Sequence, residues 1–181
     1  MNLFHILLHL FGKKSAFLRK EELPQITEQQ LILPKLPSRW FITDDFKMTA
    51  KNHCASVCVM NALLYFGHKA AFSDVHAHIK NGPVFTMRKA RLWFRSHKIR
   101  SIQQLKEQLS SGTPCALMLS TPRHEWHWVL VVGYFESPDG RQLLRIADGW
   151  HSDGERYVPI LHEHDWISCV ALEEKKKSPI P

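Results

Sequence analysis

The stretch Asn52 to Gly67, NHCASVCVMNALLYFG, constrains this chain more than any other, because it sets one cysteine at the mouth of a helix. Val57, Val59, Met60, Ala62, Leu63, Leu64, Tyr65 and Phe66 make that helix apolar on most sides. Asn52 or His53 can cap its start and Gly67 can stop it. Cys54 then lies in or just before the first turn. Free backbone N–H groups and the positive end of the helix dipole favour a thiolate there, which is how a thiol becomes a nucleophile.

A reactive thiol needs a base and a group to orient the base, and residues 125–150, EWHWVLVVGYFESPDGRQLLRIADGW, offer both. The segment reads as a β-hairpin, with a β-rich run from Trp126 to Phe135, a turn at Ser137-Pro138-Asp139-Gly140 and a return strand from Gln142 to Ala147. A turn centred between Pro138 and Asp139 places Asp148 opposite Val129, which shares a face with His127. Asp148 is then a diagonal neighbour of His127, close enough for its carboxylate to hold the imidazole in one tautomer. A slip of one residue would spoil this.

The remaining histidines fit other roles. His124 and His127 are three apart on a predicted strand, not four apart on a helix as zinc proteases require, and His124 faces away from His127. His76 and His78, two apart on a helix, point to different faces, and no cysteine or carboxylate cluster completes a ligand set. His53 suits a cap or the rim of the site, and His151, His162 and His164 its surface or rim. No metal or cofactor is expected. Cys58 points the same way as Cys54 but deeper; it, Cys115 and Cys169 read as buried, inert thiols.

At 181 residues the chain suffices for one domain with a real core, and no repeat is visible. The net charge of +7 is scattered or terminal and accompanies no nucleic-acid motif, so no nucleic-acid partner is expected. Four cysteines without CxxC spacing fit a reducing, cytoplasmic compartment. The apolar run MNLFHILLHLF is too short to span a membrane and lacks signal-peptide features. It suits a docking helix, or an interfacial one giving weak peripheral membrane contact through residues 1–14.

Residues 1–40 thus form an apolar helix and a proline-containing arm, with a short helix from about Glu28 before the chain extends. The arm could wrap the domain or serve as a cleavable or inhibitory segment. Trp40 and Phe41 pack on the core, and Asp44 and Asp45 form a solvated turn. The main domain, residues 41–172, continues with a helix from Ser73, its cap, to Lys80. A helix follows from Thr86 to His97, with Met87, Ala90, Leu92, Trp93 and Phe94 inside. Next come a short strand at 98–101, a helix from Ile102 to Ser110, and strands from Cys115 to Ser120 and from Trp166 to Leu172. Residues 173–181 read as a disordered tail.

The order Cys54, His127, Asp148 resembles the papain-like cysteine peptidases, and most closely the C39-like group related to the peptidase domains of bacteriocin exporters. In that group the cysteine helix ends in an aromatic-glycine pair, as here in Phe66-Gly67. A leucine-rich helix, Gly-x-Pro and an apolar strand follow, matched by Ile102 to Leu105, Gly112-Thr113-Pro114 and Ala116 to Leu119. His127 with its apolar strand to Gly133-Tyr134, and Ile146-Ala147-Asp148, complete the pattern over about residues 45 to 172. The resemblance implies an α+β papain-like fold, with a helical part carrying the nucleophile packed on an antiparallel sheet. It also implies cleavage of a peptide or isopeptide amide in a peptide or protein substrate through a Cys54-His127-Asp148 triad. The chain departs from the group at Ala55 and His53, where Gly and Asp are usual, and at Met48, where papain-like enzymes carry the oxyanion Gln. Lys51 and Asn52 are the remaining candidates for that donor. An acyl or amide transferase with the same triad, or a silent binding module, stays open.

Overall fold

A helix apolar on most sides has no stable place on a surface. Helix α1 (Cys54–Tyr65) is enclosed, with every residue from Ala55 to Leu63 buried. The computed structural model describes residues 17–23, 27–45, 53–80, 84–121, 124–136, 140–160 and 166–175, and gives only the backbone at 20, 27–30, 84–86, 121, 124 and 125. The other helices are α2 (Phe72–Ile79) and α3 (Ile102–Ser110). Ser101 caps α3 by accepting from the Gln104 N–H, the arrangement expected of a serine one residue before a helix.

The α-elements pack on one antiparallel sheet, so the chain is α+β as expected. Its strands are β1 (Leu18–Arg19), β2 (Thr27–Ile32), β3 (Phe94–Ile99), β4 (Cys115–Thr121), β5 (His124–Glu136), β6 (Gln142–Ala147), β7 (Arg156–Ile160) and β8 (Trp166–Glu174). Among the described residues the order is β1-β7-β6-β5-β4-β8-β3, with β2 also paired to β5. Side chains from Cys115 to Leu119 and from His127 to Phe135 are buried without interruption, so the central strands are covered on both faces. Helix α1 lies against β5.

Four expectations are corrected, three of them by long-range pairing. The segment from Glu28 is not helical: β5 runs 13 residues and β4 only 7, and β2 pairs with β5 from Gly133 to Glu136, past the end of β4. The expected helix to His97 breaks off as a 3-10 segment, Val84–Leu92. Phe94–Ile99 is instead a strand along β8, and Leu92 is 58% exposed while Met87, Ala90 and Phe94 are buried. Helix α2 begins at Phe72, so Ser73 lies within it and Ala71 stands at the cap with no side-chain bond. Glu173 and Glu174 belong to β8 rather than to a loose tail.

The arm is part of the core. Leu33 and Trp40 are buried, and the buried Asn61 side chain of α1 accepts from the Phe41 N–H (2.8 Å) and donates to its carbonyl (3.0 Å). Asp45 is not merely solvated: it pairs with Arg39, which lowers its pKa, and accepts from the Ile42 N–H. Trp40 rests on Gly154, whose positive φ of 63° and closeness to the indole leave no room for a side chain: a Cβ would lie 2.1 Å from Nε1. Gly140 has φ of 77° but open space around it. Chemical denaturation is therefore expected to show Gly154→Ala losing about 3 kcal/mol, strain and overlap together, and Gly140→Ala about 1 kcal/mol from strain alone.

Candidate active site

Cys54 is the first residue of α1 and is half-buried, whereas Cys58, Cys115 and Cys169 are buried. Its thiol faces β5, close enough to the main-chain N–H of Trp128, the residue after His127, and to those of Ala55 and its own residue for them to lower its pKa. These donors favour the thiolate, but burial outweighs them and pushes the pKa above the ordinary 9.0. The helix-start N–H groups thus act in the expected direction, and burial acts against them. His53 stands at the cap without a side-chain bond and is buried rather than on a rim. Its ring lies edge-on to His76, with centroids 4.6 Å apart, and to Phe72, and neither of its ring nitrogens has a hydrogen-bond partner among the described residues.

The hairpin that carries His127 has the predicted return strand, but its register shifts midway. Near the turn Gly133 faces Arg145, one residue out of the simple count; a bulge at Val132 then restores it, and Leu130 faces Ala147. Continued by one residue, that register sets Asp148 across from Val129. His127 and Asp148 are joined, although through a different atom from the one expected. His127 Nε2 lies 2.8 Å from the main-chain oxygen of Asp148. A carbonyl only accepts, so Nε2 carries a proton.

The Asp148 carboxylate, fully buried, serves the following loop instead. Oδ1 accepts from the Trp150 and His151 N–H groups, each at 2.9 Å, and Oδ2 lies 2.7 Å from His151 Nδ1. This Asx-type turn sets the Trp150 ring on His127, stacked at 4.0 Å between centroids and 13° between planes. Gly149, with φ of 78°, brings the loop onto α1, where a Cβ would lie 3.1 Å from Val57 Cγ1. His127 and Asp148 thus meet where β5 and the 148–151 loop come together, and Cys54 opens α1, the helix that packs on β5. Lys51, Asn52 and Met48 lie outside the described residues. Sequence reasoning missed His151 as the carboxylate's partner and Trp150 as the ring's cover; Asp148-Gly149 followed by His151 was the turn signal that could have found them. Among the described residues no group of three or more His, Cys, Asp or Glu side chains could hold a metal ion.

A thiol with a raised pKa is less ionised at neutral pH than an ordinary cysteine. Iodoacetamide is expected to modify Cys54 ahead of the three buried thiols. The rate should climb from about pH 7 to beyond about pH 9 without a plateau near neutrality, as read by mass spectrometry of the labelled peptides.

No protein-family model matches the sequence, and no curated protein matches it. Solved structures do. A protein described as a C39-like peptidase from Bacillus anthracis superposes with a TM-score of 0.61 at 15% identity, covering 83% of this chain and all of that one. The peptidase domain of Streptococcus ComA, a bifunctional ABC transporter of the quorum-sensing pathway, gives 0.53 at 10% identity, covering 77% of this chain and all of that one. The helix-borne cysteine, the antiparallel sheet and these superpositions together make the fold that of the papain-like, C39-like peptidase domains.

Proposed function

We infer that the protein is a cysteine peptidase that cleaves a peptide or isopeptide amide, with Cys54 as nucleophile, His127 as base and Asp148 as the group that orients the base. The observation that carries this reading is the bond from His127 Nε2–H to the Asp148 carbonyl, made beside the strand residue whose N–H reaches the Cys54 thiol. With Nε2 committed to that carbonyl, Nδ1 is the ring nitrogen assigned here to proton transfer. Because burial holds that thiol neutral, His127 accepts the proton as sulfur attacks the acyl carbon, then delivers it to the leaving amine. Water hydrolyses the resulting thioester. The main-chain N–H groups of Cys54 and Ala55, at the helix start beside the thiol, are the donors this reading assigns to the oxyanion. Free cysteines suit a reducing, cytoplasmic setting. No helix among the described residues is long and apolar enough to cross a membrane.

A silent binding module of the same fold is the second reading, favoured by the Asp148 carboxylate being committed to His151 and by the raised thiol pKa. Digestion of a proteome-derived peptide library separates the two. Wild type is expected to cleave, and Cys54→Ala and His127→Ala to lose roughly a thousandfold or more in rate; no cleavage by wild type supports the silent module.

The atom that orients His127 can be tested on its own. A carboxamide can still accept from the Trp150 and His151 N–H groups and leaves the main-chain carbonyl in place. Asp148→Asn is therefore expected to keep activity within about tenfold of wild type, where a carboxylate-dependent triad would fall about ten-thousandfold.

A further inference from the structure

The amino-terminal strap reaches the candidate site through one side chain. Phe17 is 6% exposed and lies against both members of the His127–Trp150 stack, with ring centroids 6.2 and 5.8 Å away and planes inclined by 29° and 23°. With His127 and Trp150 only 4.0 Å apart, the three centroids form a triangle rather than a column, so Phe17 covers the flank of the stack. His127 is 4% exposed, although a base that serves an external substrate has to be reached. The strap's hold beyond Phe17 is slight. Strand β1 is two residues long, at the edge of the sheet against Tyr157 and Arg156. Leu18 and Leu23 rest on a small cluster of Phe135, Leu143 and Tyr157, separate from the main core that Phe17 joins. Arg19 and Glu22 bind each other at the surface, through a side-chain pair at 3.7 Å and a bond of 2.6 Å from the Arg19 N–H to Glu22 Oε2, and neither contact ties the strap to the domain.

Building on the peptidase reading, we propose that the flank of the His127–Trp150 stack is a subsite for an aromatic side chain of the peptide substrate, filled in this chain by its own Phe17. Chemistry favours that occupant. Two stacked rings with offset, near-parallel faces accept a third ring more readily than an aliphatic or charged group. An extended peptide that displaces the strap can take the β7 edge vacated by β1, adding a strand while its aromatic side chain enters the flank. Tethered to the domain, Phe17 competes at an effective concentration on the order of millimolar, so the seat is closed to weak peptides.

The experiment uses the full chain carrying Cys54→Ala, so that binding is read without turnover, and a fluorescein-labelled peptide with the sequence of residues 14–23 as probe. Adding Phe17→Ala vacates the seat and is expected to tighten binding of the probe about tenfold or more by anisotropy. The same peptide with alanine in place of its phenylalanine should bind neither protein. Phe17→Leu, which keeps apolar bulk, serves as the folding control and should bind the probe between the two, with a thermal midpoint near that of wild type. Equal binding of both peptides, or unchanged affinity on Phe17→Ala, overturns the subsite. In the catalytically intact chain Phe17→Ala should lower KM for peptides with an aromatic residue at one fixed position from the cut, with kcat little changed. Probe binding without any cleavage would sink the peptidase reading and leave the subsite standing. Cleavage without aromatic preference would do the reverse.

Discussion

The contact between α1 and β5 is what the rest of the structure depends on. Helix α1 is buried from Ala55 to Leu63 and has to be enclosed, and β5 is the strand it lies against. Enclosure of a helix whose first residue is cysteine brings that residue to a strand whose N–H groups are otherwise bound in the ladder. The Trp128 N–H reaches the thiol there. The same packing lets the 148–151 loop close onto Val57 only because Gly149 has no side chain, so the loop, the helix and the strand fix one another.

Buried charge explains why the Asp148 carboxylate points where it does. A carboxylate with no solvent contact must have its lone pairs met, and two main-chain N–H groups with the His151 ring meet them. The carboxylate thereby becomes the clasp of the loop, and the neutral carbonyl of the same residue is left to orient His127. A carbonyl fixes the tautomer as firmly as a carboxylate but stabilises an imidazolium less. The thiol on the neighbouring helix is likewise favoured in its neutral form, by burial.

A second buried cluster lies just behind the nucleophile. His53 meets His76 and Phe72 of α2, and Ser56 Oγ lies 3.0 Å from His76 Nδ1. Burial, with His53 close by, lowers the His76 pKa and so favours its neutral form, and the ring packs as aromatic surface against His53 and Phe72. In this chain the residue before the cysteine holds α1 to α2.

Local pattern in the chain determined α1, α3, the hairpin's return strand and the meeting of His127 with Asp148, because helix periodicity, capping and hairpin geometry act over a few residues. The hairpin count reached Asp148 only with the bulge at Val132, which no local signal announced. Strand β2 and the first part of β3 were illegible because what fixes them is the edge they pair with, on β5 and β8, 70 or more residues away in each case. Tertiary structure likewise decided that Asp148 offers its carbonyl to His127, and that Trp150 and Phe17 cover that ring. Each depends on which buried polar groups are left to satisfy once distant segments have packed, and that is a property of the assembled chain.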